Sequence, residues 1–555
     1  MTIDSYVSGI SSQPLIGRTI GNYFDSVCQS HGDELALVVR HQQVRWSYRE
    51  LRDRSDAVAS ALLKAGLEPG DRIGIWSHNR AEWAIVQFAT AKAGLILVNI
   101  NPAYRSAELN YALNRVQCKA LITAVSFKTS HYLDMLRELV PELAHAAIGD
   151  LKAVQVPHLR LVVSLGDEVH PGCLPFSALL ECAPDPDLLN TVEQGLSFDD
   201  PVNIQFTSGT TGQPKGATLS HHNILNNGFF VGEAIGLKRG DRLCIPVPLY
   251  HCFGMVMGNL ACLTHASAMV YPSEGFEPLA ALEAVQAERC DALYGVPTMF
   301  IAMLDHPEFG AFDLGSLRTG IMAGSPCPVT VMQRVIDDMN MSQVTIAYGM
   351  TETSPVSFQS RVHDDIHRRV TTVGRIQPHL EAKVIDQEGR IVPRGTAGEL
   401  CTRGYSVMIG YWGDPERTAE VLHRGWMRTG DLGVIDEEGF CSIVGRIKDM
   451  VIRGGENIYP REIEEALYQH PEIEDVQVVG VPDEKYGEEL VAVVIRKPQS
   501  TICEEDVRSF CQSRMAHYKV PRYTRFVEEF PLTVTGKVQK FVLRECLIAE
   551  MRLQD

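Results

Sequence analysis

Residues 204–216 read Ile-Gln-Phe-Thr-Ser-Gly-Thr-Thr-Gly-Gln-Pro-Lys-Gly, a short strand pattern that runs into a loop rich in glycine and hydroxyl groups. Glycines let backbone N–H groups approach phosphate oxygens, and the hydroxyls add donors. Lys215 supplies positive charge at the end of the loop. A Walker A loop ends in Gly-Lys-Ser/Thr, whereas Pro214, Lys215 and Gly216 stand here. The stretch therefore predicts a different phosphate-binding loop, for which the alternative is a surface turn.

Helix and strand patterns alternate on both sides of this loop. Residues 47–50 form a capping box that opens a helix, which Gly66 and Pro69-Gly70 end. A strand over 72–76, a helix over 81–93 and a strand over 95–100 follow. Similar strand patterns cover 120–125, 161–165, 243–247, 269–271 and 293–294. This alternation predicts an α/β fold with largely parallel sheets and packed helices.

The pattern changes after Val370. Short alternating strands over 381–385, 398–403, 432–435 and 440–444, with a hairpin loop at 436–439, predict a β-barrel-like region. Beyond residue 461 the predicted order is helix, strand, strand, helix and a closing strand over 524–527. We therefore expect a large N-terminal body of mixed sheets over 1–445 and a small α+β C-terminal domain over 450–555.

Composition excludes several classes of function. The 555 residues contain 51 Lys and Arg against 69 Asp and Glu, so the net charge of −18 argues against a nucleic-acid partner. The 14 cysteines include no C-x-x-C pair, which favours free thiols in a reducing compartment. No signal-peptide pattern and no transmembrane run stand out. We expect a cytoplasmic protein, and the sequence is compatible with peripheral membrane contact and with a homo-oligomer.

Six motifs resemble those of the adenylate-forming (AMP-binding) superfamily, in the same order along the chain. They are 207–216, Tyr-Gly-Met-Thr-Glu at 348–352, Arg-Thr-Gly-Asp at 428–431, Gly-Arg-Ile-Lys-Asp at 445–449, Gly-Gly-Glu-Asn-Ile-Tyr-Pro at 454–460 and Pro-Leu-Thr-Val-Thr-Gly-Lys at 531–537. Residues 248–252 and 451–455 resemble the medium-chain acyl-CoA synthetase family member 2 type.

The resemblance implies an ATP-dependent, AMP-forming fatty acid–CoA ligase, an acid–thiol ligase that makes an acyl-adenylate and then a thioester. Its substrates would be a fatty acid, ATP and CoA, with Mg²⁺ as cofactor. Lys537 would bridge the incoming fatty acid carboxylate and the α-phosphate of ATP through its positive charge. Thr351 would contact the same phosphate. Glu352 would hold Mg²⁺, because hard oxygen ligands suit this ion. Asp431 would accept the ribose hydroxyls, and Arg446 would reach ribose and phosphates.

The other nucleotide contacts implied by the resemblance come from the loop and from the adenine pocket. Tyr348 would stack on adenine, with Gly324, Ser325 and Gly349 lining the pocket. The loop contacts would be Thr207, Ser208, Gly209, Thr210, Thr211, Gly212 and Lys215. A core aromatic for Tyr348 and capping carboxylates for Glu352 and Asp431 are the alternatives.

For the thioester step, the resemblance implies a mobile C-terminal domain that rotates about a hinge at 446–449, with Lys448 as hinge residue. Gly454 and Gly455 would line the pantetheine tunnel, where a Cβ would obstruct the backbone. The acyl pocket would include His251, Phe253, Tyr294 and Val296. The apolar run 253–258 contains small residues, which suits an alkyl channel. Cys252 is expected to be a small buried residue rather than a nucleophile.

Other readings stay open at the level of sequence. The chain could be an adenylating enzyme that loads a separate carrier protein, a luciferase-like oxygenase, or a non-catalytic AMP-binding protein. The presence of Lys537, Glu352 and Asp431 argues against the last of these. Chain length and branching of the acid are not determined by the motifs.

Overall fold

Four β-sheets with packed helices make up the part of the chain that the computed structural model describes, which is residues 3–166, 168–207, 214–325, 327–453, 456–483, 485–533 and 537–552. The strands, numbered along the chain, are β1 (Tyr6–Ser8), β2 (Leu35–Val39), β3 (Val44–Ser47), β4 (Arg72–Trp76), β5 (Ile96–Ile100), β6 (Ala120–Thr123), β7 (Leu161–Ser164), β8 (Leu174–Pro175), β9 (Pro201–Thr207), β10 (Lys215–Ser220), β11 (Arg242–Cys244), β12 (Ala268–Tyr271), β13 (Ala292–Gly295), β14 (Thr319–Ala323), β15 (Gln343–Gly349), β16 (Val356–Gln359), β17 (Arg375–Ile376), β18 (Leu380–Ile385), β19 (Gly398–Gly404), β20 (Gly410–Tyr411), β21 (Leu422–His423), β22 (Trp426–Ile435), β23 (Cys441–Arg446), β24 (Val451–Arg453), β25 (Glu456–Ile458), β26 (Ile473–Asp483), β27 (Gly487–Arg496) and β28 (Tyr523–Val527).

The helices connect these strands and cover the sheets. They are α1 (Ile20–His31), α2 (Tyr48–Lys64), α3 (Ala81–Lys92), α4 (Ser106–Arg115), α5 (Tyr132–Leu139), α6 (Phe176–Leu180), α7 (Pro186–Gln194), α8 (His221–Ala234), α9 (Ala261–His265), α10 (Pro278–Glu288), α11 (Pro297–Leu304), α12 (Val329–Asp338), α13 (Ile366–Thr371), α14 (Pro415–Val421), α15 (Pro460–Leu467), α16 (Glu504–Gln512) and α17 (Lys540–Arg552). A π-helical segment, Phe253–Leu260, precedes α9, and a 3₁₀ turn covers Thr351–Thr353. None of the described helices has both the length and the apolar character needed to cross a membrane.

The two largest sheets are mostly parallel, as the alternating pattern predicts. The eight-stranded sheet has the order β20-β10-β9-β5-β4-β6-β7-β8 and is parallel from β9 to β8. The nine-stranded sheet has the order β17-β16-β15-β14-β13-β11-β12-β2-β3 and is parallel from β15 to β2. Each parallel set therefore presents the carboxyl ends of its strands at one edge.

Helix α3 lies between these two sheets. It contacts β5 of the eight-stranded sheet and β2 of the nine-stranded sheet, as well as α1 and α2. Every residue of α3 except Glu82 is buried. A helix that is apolar on all sides is stable only when it is enclosed, and the two sheets enclose this one.

The predicted β-barrel-like region is a six-stranded antiparallel half-barrel sheet. Its order is β1-β18-β19-β22-β21, with β23 paired to β22. Residues 436–439 form the predicted hairpin loop between β22 and β23. The register of this hairpin places Asp431 opposite Arg446.

The C-terminal domain contains the sheet β25-β24-β27-β26 with β28 beside β27. Helices α15 and α16 contribute to one apolar cluster and α17 to a second. The expectation that a strand at 524–527 closes this domain is wrong, because α17 follows it. Leu543 and Leu547 of α17 pack on Val479, Val481 and other valines of the sheet. Apolar residues lie on several sides of this helix, so the sequence shows no clear stripe.

Most other predicted elements are confirmed, with changes at their ends. Ser47 and Glu50 form the predicted capping box at the start of α2. The strand predicted over 243–247 ends at Cys244, before Pro246, a residue with no N–H for a strand ladder. The proposed domain boundary at 446–449 stays a prediction.

Candidate active site

The predicted nucleotide-binding residues lie where parallel strands of the two large sheets end. Thr207 is the last residue of β9, and Gly324 and Ser325 directly follow β14. Tyr348 and Gly349 end β15, and the 3₁₀ turn that contains Thr351 and Glu352 comes next. In open α/β folds, ligands bind beyond the carboxyl ends of the strands. The strand ends of the two sheets meet here, since Thr207 Oγ1 lies 3.4 Å from Glu352 Oε1.

The phosphate-loop motif joins two antiparallel strands. Thr207 and Lys215 face each other in the register of β9 and β10. The predicted contacts Ser208, Gly209, Thr210, Thr211 and Gly212 lie outside the described residues. The Lys215 Nζ lies 5.0 Å from the centroid of the Tyr411 ring, so the positive charge at the end of the loop rests against an aromatic face.

Glu352 is a buried carboxylate with a defined hydrogen-bond pattern. It is 5% exposed, and its Oε1 accepts hydrogen bonds from Tyr411 Oη at 2.8 Å and from Thr207 Oγ1 at 3.4 Å. No hydrogen bond from a described residue reaches Oε2. Burial and the neighbouring Glu352 raise the pKa of Tyr411, which stays a donor at neutral pH. Glu352 therefore presents one oxygen for a further ligand. Thr351 beside it is also buried.

Asp431 bridges two of the predicted residues. Tyr348 Oη donates a hydrogen bond to Asp431 Oδ2 at 2.6 Å, and Arg446 Nε lies 2.9 Å from Oδ1. Burial, with Asp431 next in effect, raises the pKa of Tyr348 well above its usual value. Asp431 is also the main cause that raises the pKa of Arg446. The Asp431 N–H donates to Thr429 Oγ1, which orients the strand locally.

Lys537 reaches the same site from the C-terminal domain. Its Cε lies 3.8 Å from the point where a Cβ on Gly324 would stand. Burial lowers the pKa of Lys537 and Arg446 adds to the effect, while Asp431 and Glu352 oppose it. The Lys537 N–H donates to Thr533 Oγ1 at 3.0 Å. The ammonium group is therefore placed among the charges of three other motifs.

The glycines of the site have steric reasons to be glycine. Gly324 has φ of +95°, a backbone conformation that side chains disfavour. A Cβ on Gly349 would stand 1.7 Å from the carbonyl oxygen of Pro355, so no side chain fits there. Close backbone packing thus accounts for Gly349 independently of any ligand.

The predicted acyl-pocket residues form an apolar group next to Lys537. Val296 Cγ1 lies 3.0 Å from the point where a Cβ on Gly324 would stand, and the rings of Phe253 and Tyr294 lie 5.5 Å apart. Burial lowers the pKa of His251 to about 3, with a smaller effect of Lys537, so His251 is neutral at pH 7. These residues therefore form an apolar surface that begins beside the Lys537 cation and leads away from it.

The small residues of the run 253–258 also have a structural role, which the apolar pattern does not predict. This run lies in the buried π-helical segment. A Cβ on Gly254 would stand 2.5 Å from the Pro248 carbonyl oxygen, and one on Gly258 would stand 2.9 Å from Ile245 Cδ1. Cys252 is fully buried, as expected, and donates to Gln205 Oε1 at 3.1 Å.

The remaining predictions concern the domain connection. Lys448 lies between β23 and β24 with much of its side chain in solvent, and the partial desolvation of its amine, with the nearby Arg446 and Lys215, lowers its pKa. Gly454 and Gly455 lie outside the described residues. The hinge and tunnel roles therefore stay predictions.

Tyr411, which lies outside the six sequence motifs, links two of the predicted residues. Tyr411 lies in β20, which pairs with β10 and so stands beside the strand that follows the phosphate loop. Its hydroxyl donates to Glu352 and its ring faces Lys215. The sequence offers no spacing signal for this contact, because Tyr411 lies 59 residues from Glu352 along the chain.

Comparison with known proteins gives a consistent result. The family model described as AMP-binding enzyme matches residues 24–412, and the model described as AMP-binding enzyme C-terminal domain matches residues 462–537. The medium-chain acyl-CoA ligase ACSF2, mitochondrial, of Danio rerio is 46% identical over 547 residues, which are 98% of this chain and 90% of the relative.

Two solved structures have the same fold. ATP-bound MatB from Rhodopseudomonas palustris matches with a TM-score of 0.82 and 29% identity, over 95% of this chain and 99% of that one. The anthranilate CoA ligase AuaEII in complex with anthranoyl-AMP matches with a TM-score of 0.84 and 25% identity, over 97% and 99% of the two chains.

Proposed function

The chain belongs to the AMP-binding enzyme family, and from this premise we propose that it is an ATP-dependent, AMP-forming fatty acid–CoA ligase that acts on medium-chain acids. A relative of that activity shares 46% of its residues over nearly the whole chain. The observation that carries the proposal is the position of Lys537 beside Gly324 and Val296, among the charges of Arg446, Asp431 and Glu352.

Formation of an acyl-adenylate requires a carboxylate to attack the α-phosphate of ATP. Two anions must then approach each other, so fixed cations and donors lower the barrier. We assign Lys537 to the carboxylate and the α-phosphate, with Thr351 as a further donor to the phosphate. Bound phosphates would favour the charged form of Lys537, because an opposite charge nearby stabilises an ammonium.

The nucleotide would be held by the group around Asp431. Its carboxylate, already oriented by Tyr348 and Arg446, is suited to accept the two ribose hydroxyls. Tyr348 would offer its ring to adenine, with Gly324, Ser325 and Gly349 beside it. Arg446 would contact ribose and phosphates. Thr207 and Lys215, with the loop between them, would hold the β- and γ-phosphates.

Glu352 fits the role of a Mg²⁺ ligand. Its Oε1 is held by Tyr411 and Thr207, whereas Oε2 accepts no hydrogen bond from the described residues. A single hard oxygen of this kind suits Mg²⁺, which commonly takes one or two carboxylates and completes its shell with phosphate oxygens and water. The bound ion would neutralise charge on the triphosphate. Tyr411 and Thr207 would keep the carboxylate in one orientation.

The acid would extend from Lys537 past Val296 towards His251, Phe253 and Tyr294. For thioester formation we propose that the domain over 450–555 rotates about residues 446–449, with Lys448 as the hinge, and that Gly454 and Gly455 line the pantetheine path. The acceptor is CoA in this proposal. A separate carrier protein is the alternative acceptor. The compartment, predicted as cytoplasmic, stays a prediction.

The test measures release of AMP and pyrophosphate with Mg-ATP, CoA and acids from acetate to palmitate, together with aromatic acids. We expect product formation that depends on CoA and is greatest at one medium chain length. Pyrophosphate release that is independent of CoA, with no acyl-CoA formed, would contradict the proposal and point to a carrier protein.

A further inference from the structure

Tyr294 differs from the other fully buried tyrosines in its hydroxyl group. Tyr48 donates to the Ser267 carbonyl oxygen at 2.7 Å, Tyr132 to that of Pro102 at 2.9 Å, and Tyr271 to Asn259 Oδ1 at 2.7 Å. The Tyr294 hydroxyl is buried and has no hydrogen-bond partner among the described residues. Because an unpaired buried hydroxyl destabilises a fold, such a group is expected to pair with a water molecule or with a ligand. The Tyr405 hydroxyl is also unpaired among the described residues, but its ring packs against His222 and Phe230 and not against the acyl-pocket residues.

The position of Tyr294 indicates what that partner is. Tyr294 and Val296 are two residues apart on extended backbone, so their side chains lie on the same face. Val296 Cγ1 and Lys537 Cε both lie within 4 Å of the point where a Cβ on Gly324 would stand. Val296 is therefore at the reaction centre, and Tyr294 lies about 7 Å deeper along the strand.

The neighbours of Tyr294 are residues that we assign to the acyl pocket. Its ring packs against Phe253, the first residue of the π-helical segment, with centroids 5.5 Å apart. Burial raises the pKa of Tyr294 well above its usual value, so the hydroxyl keeps its proton and remains a donor. Among the described residues, only burial and Cys262 influence this pKa, and a neutral donor in such surroundings suits a neutral acceptor better than a second carboxylate, because burying a charge without a partner is costly.

We propose that Tyr294 is a specificity-determining residue, whose hydroxyl forms a hydrogen bond with a hydroxyl or keto oxygen on the fatty acid chain. The preferred substrates are then medium-chain acids that carry oxygen at one position away from the carboxylate. This inference rests on the proposed function and names the substrate class of the same pocket. The competing explanation is a bound water molecule that pairs with the hydroxyl and has no role in selection.

The experiment compares octanoate with its monohydroxy and monoketo isomers at successive carbons. For the wild-type chain we expect one position of the oxygen to raise kcat/KM over octanoate at least about tenfold, the equivalent of about 1.4 kcal/mol. Tyr294→Phe should abolish that ratio, since it removes only the hydroxyl. Tyr271→Phe is the matched control, and it should keep the ratio while lowering Tm, because its hydroxyl is already paired with Asn259.

Two results would overturn the inference: no isomer exceeds octanoate, or the preference survives in Tyr294→Phe. Either is what a bound water predicts. Should Tyr294→Phe fail to fold, the wild-type scan still decides, because the inference requires one oxygenated isomer to exceed octanoate. Failure of the proposed function is distinguishable, because octanoate and the other unsubstituted acids would then form no CoA thioester.

Discussion

Asp431 and Arg446 are register partners on β22 and β23, and their side chains form an ion pair of 2.9 Å. Arg446 is also the first residue of the proposed hinge at 446–449. Tyr348, from a different sheet, binds the second oxygen of the same carboxylate. One carboxylate therefore connects the nine-stranded sheet to the antiparallel sheet at the candidate nucleotide site.

Asp431→Asn should weaken ATP binding. The amide keeps the shape of the side chain but loses the charge that holds Arg446 and would accept ribose hydroxyls. Hydrogen bonds to charged groups contribute about 1.5–3 kcal/mol, so we expect the KM for ATP to rise about 10- to 100-fold. Steady-state kinetics at saturating fatty acid check this. Glu381→Gln, which breaks the ion pair with Arg403 in the same sheet, is the control and should leave that KM unchanged.

Lys537→Ala should impair the two half-reactions unequally. Loss of one preorganised cation from the reaction centre should lower the rate of adenylate formation about 10²- to 10³-fold. Thioester formation from supplied acyl-AMP should stay nearly normal, since the adenylate already exists. Single-turnover assays of each half-reaction measure the difference. Equal losses in both steps would argue against the assigned role, and Lys519→Ala, a partly exposed lysine paired with Glu462, serves as control.

The pH dependence of adenylate formation should reflect the lowered pKa of Lys537. The ammonium is the active form, so the rate should fall as pH rises through a pKa below the ordinary lysine value of 10.5. Arg446 contributes to the lowering. Arg446→Gln should therefore move the alkaline limb of kcat/KM to higher pH, whatever it does to the absolute rate. An unmoved limb would show that another group controls the profile.

Tyr411→Phe should weaken the binding of Mg²⁺ by Glu352, so that the reaction needs more Mg²⁺. Without the hydroxyl, Oε1 of Glu352 keeps only the longer contact from Thr207, at 3.4 Å. A lost hydrogen bond to a charged group corresponds to about a tenfold or greater rise in the Mg²⁺ concentration needed for half-maximal rate. Titration of Mg²⁺ at fixed ATP measures this. Tyr132→Phe, whose hydroxyl binds a backbone carbonyl elsewhere, should lower stability without this change.

Acid should destabilise the protein through buried neutral histidines. Burial lowers the pKa of His78 and His251 to about 3 and that of His221 to about 4. The unfolded chain then binds more protons than the folded one between about pH 4 and 6.5, so stability falls as pH falls through this window. Each histidine contributes a slope of up to about 1.4 kcal/mol per pH unit.

Replacing one of these histidines tests the sign. His78→Gln should reduce the loss of Tm between pH 6.5 and 5, because one proton-binding group disappears from the unfolded state. Thermal unfolding at half-unit pH steps measures the slope. A steeper loss in the variant than in the wild-type chain would contradict the prediction.

Local patterns predict much of the fold, because neighbouring residues determine helix starts and strand periods. The capping box at Ser47 and the helix α2 that it opens are examples. Helix α17 is not predicted, because only its packing on Val479 and neighbouring valines shows which of its apolar residues are buried. Those valines lie about 60 residues earlier in the chain. The strand that ends at Cys244 is shorter than predicted, because the apolar pattern continues through Pro246 while the hydrogen-bonded ladder cannot.

The sequence by itself determined the family, the reaction class and the residue types of the site, since those are carried by contiguous motifs. Only the tertiary structure decided which atoms meet. Tyr411 holding Glu352, Asp431 bridging Tyr348 and Arg446, and the unpaired hydroxyl of Tyr294 all depend on distances between residues far apart in the chain. The physical reason is that burial and hydrogen bonding act through space, and the packing of separate sheets sets those distances.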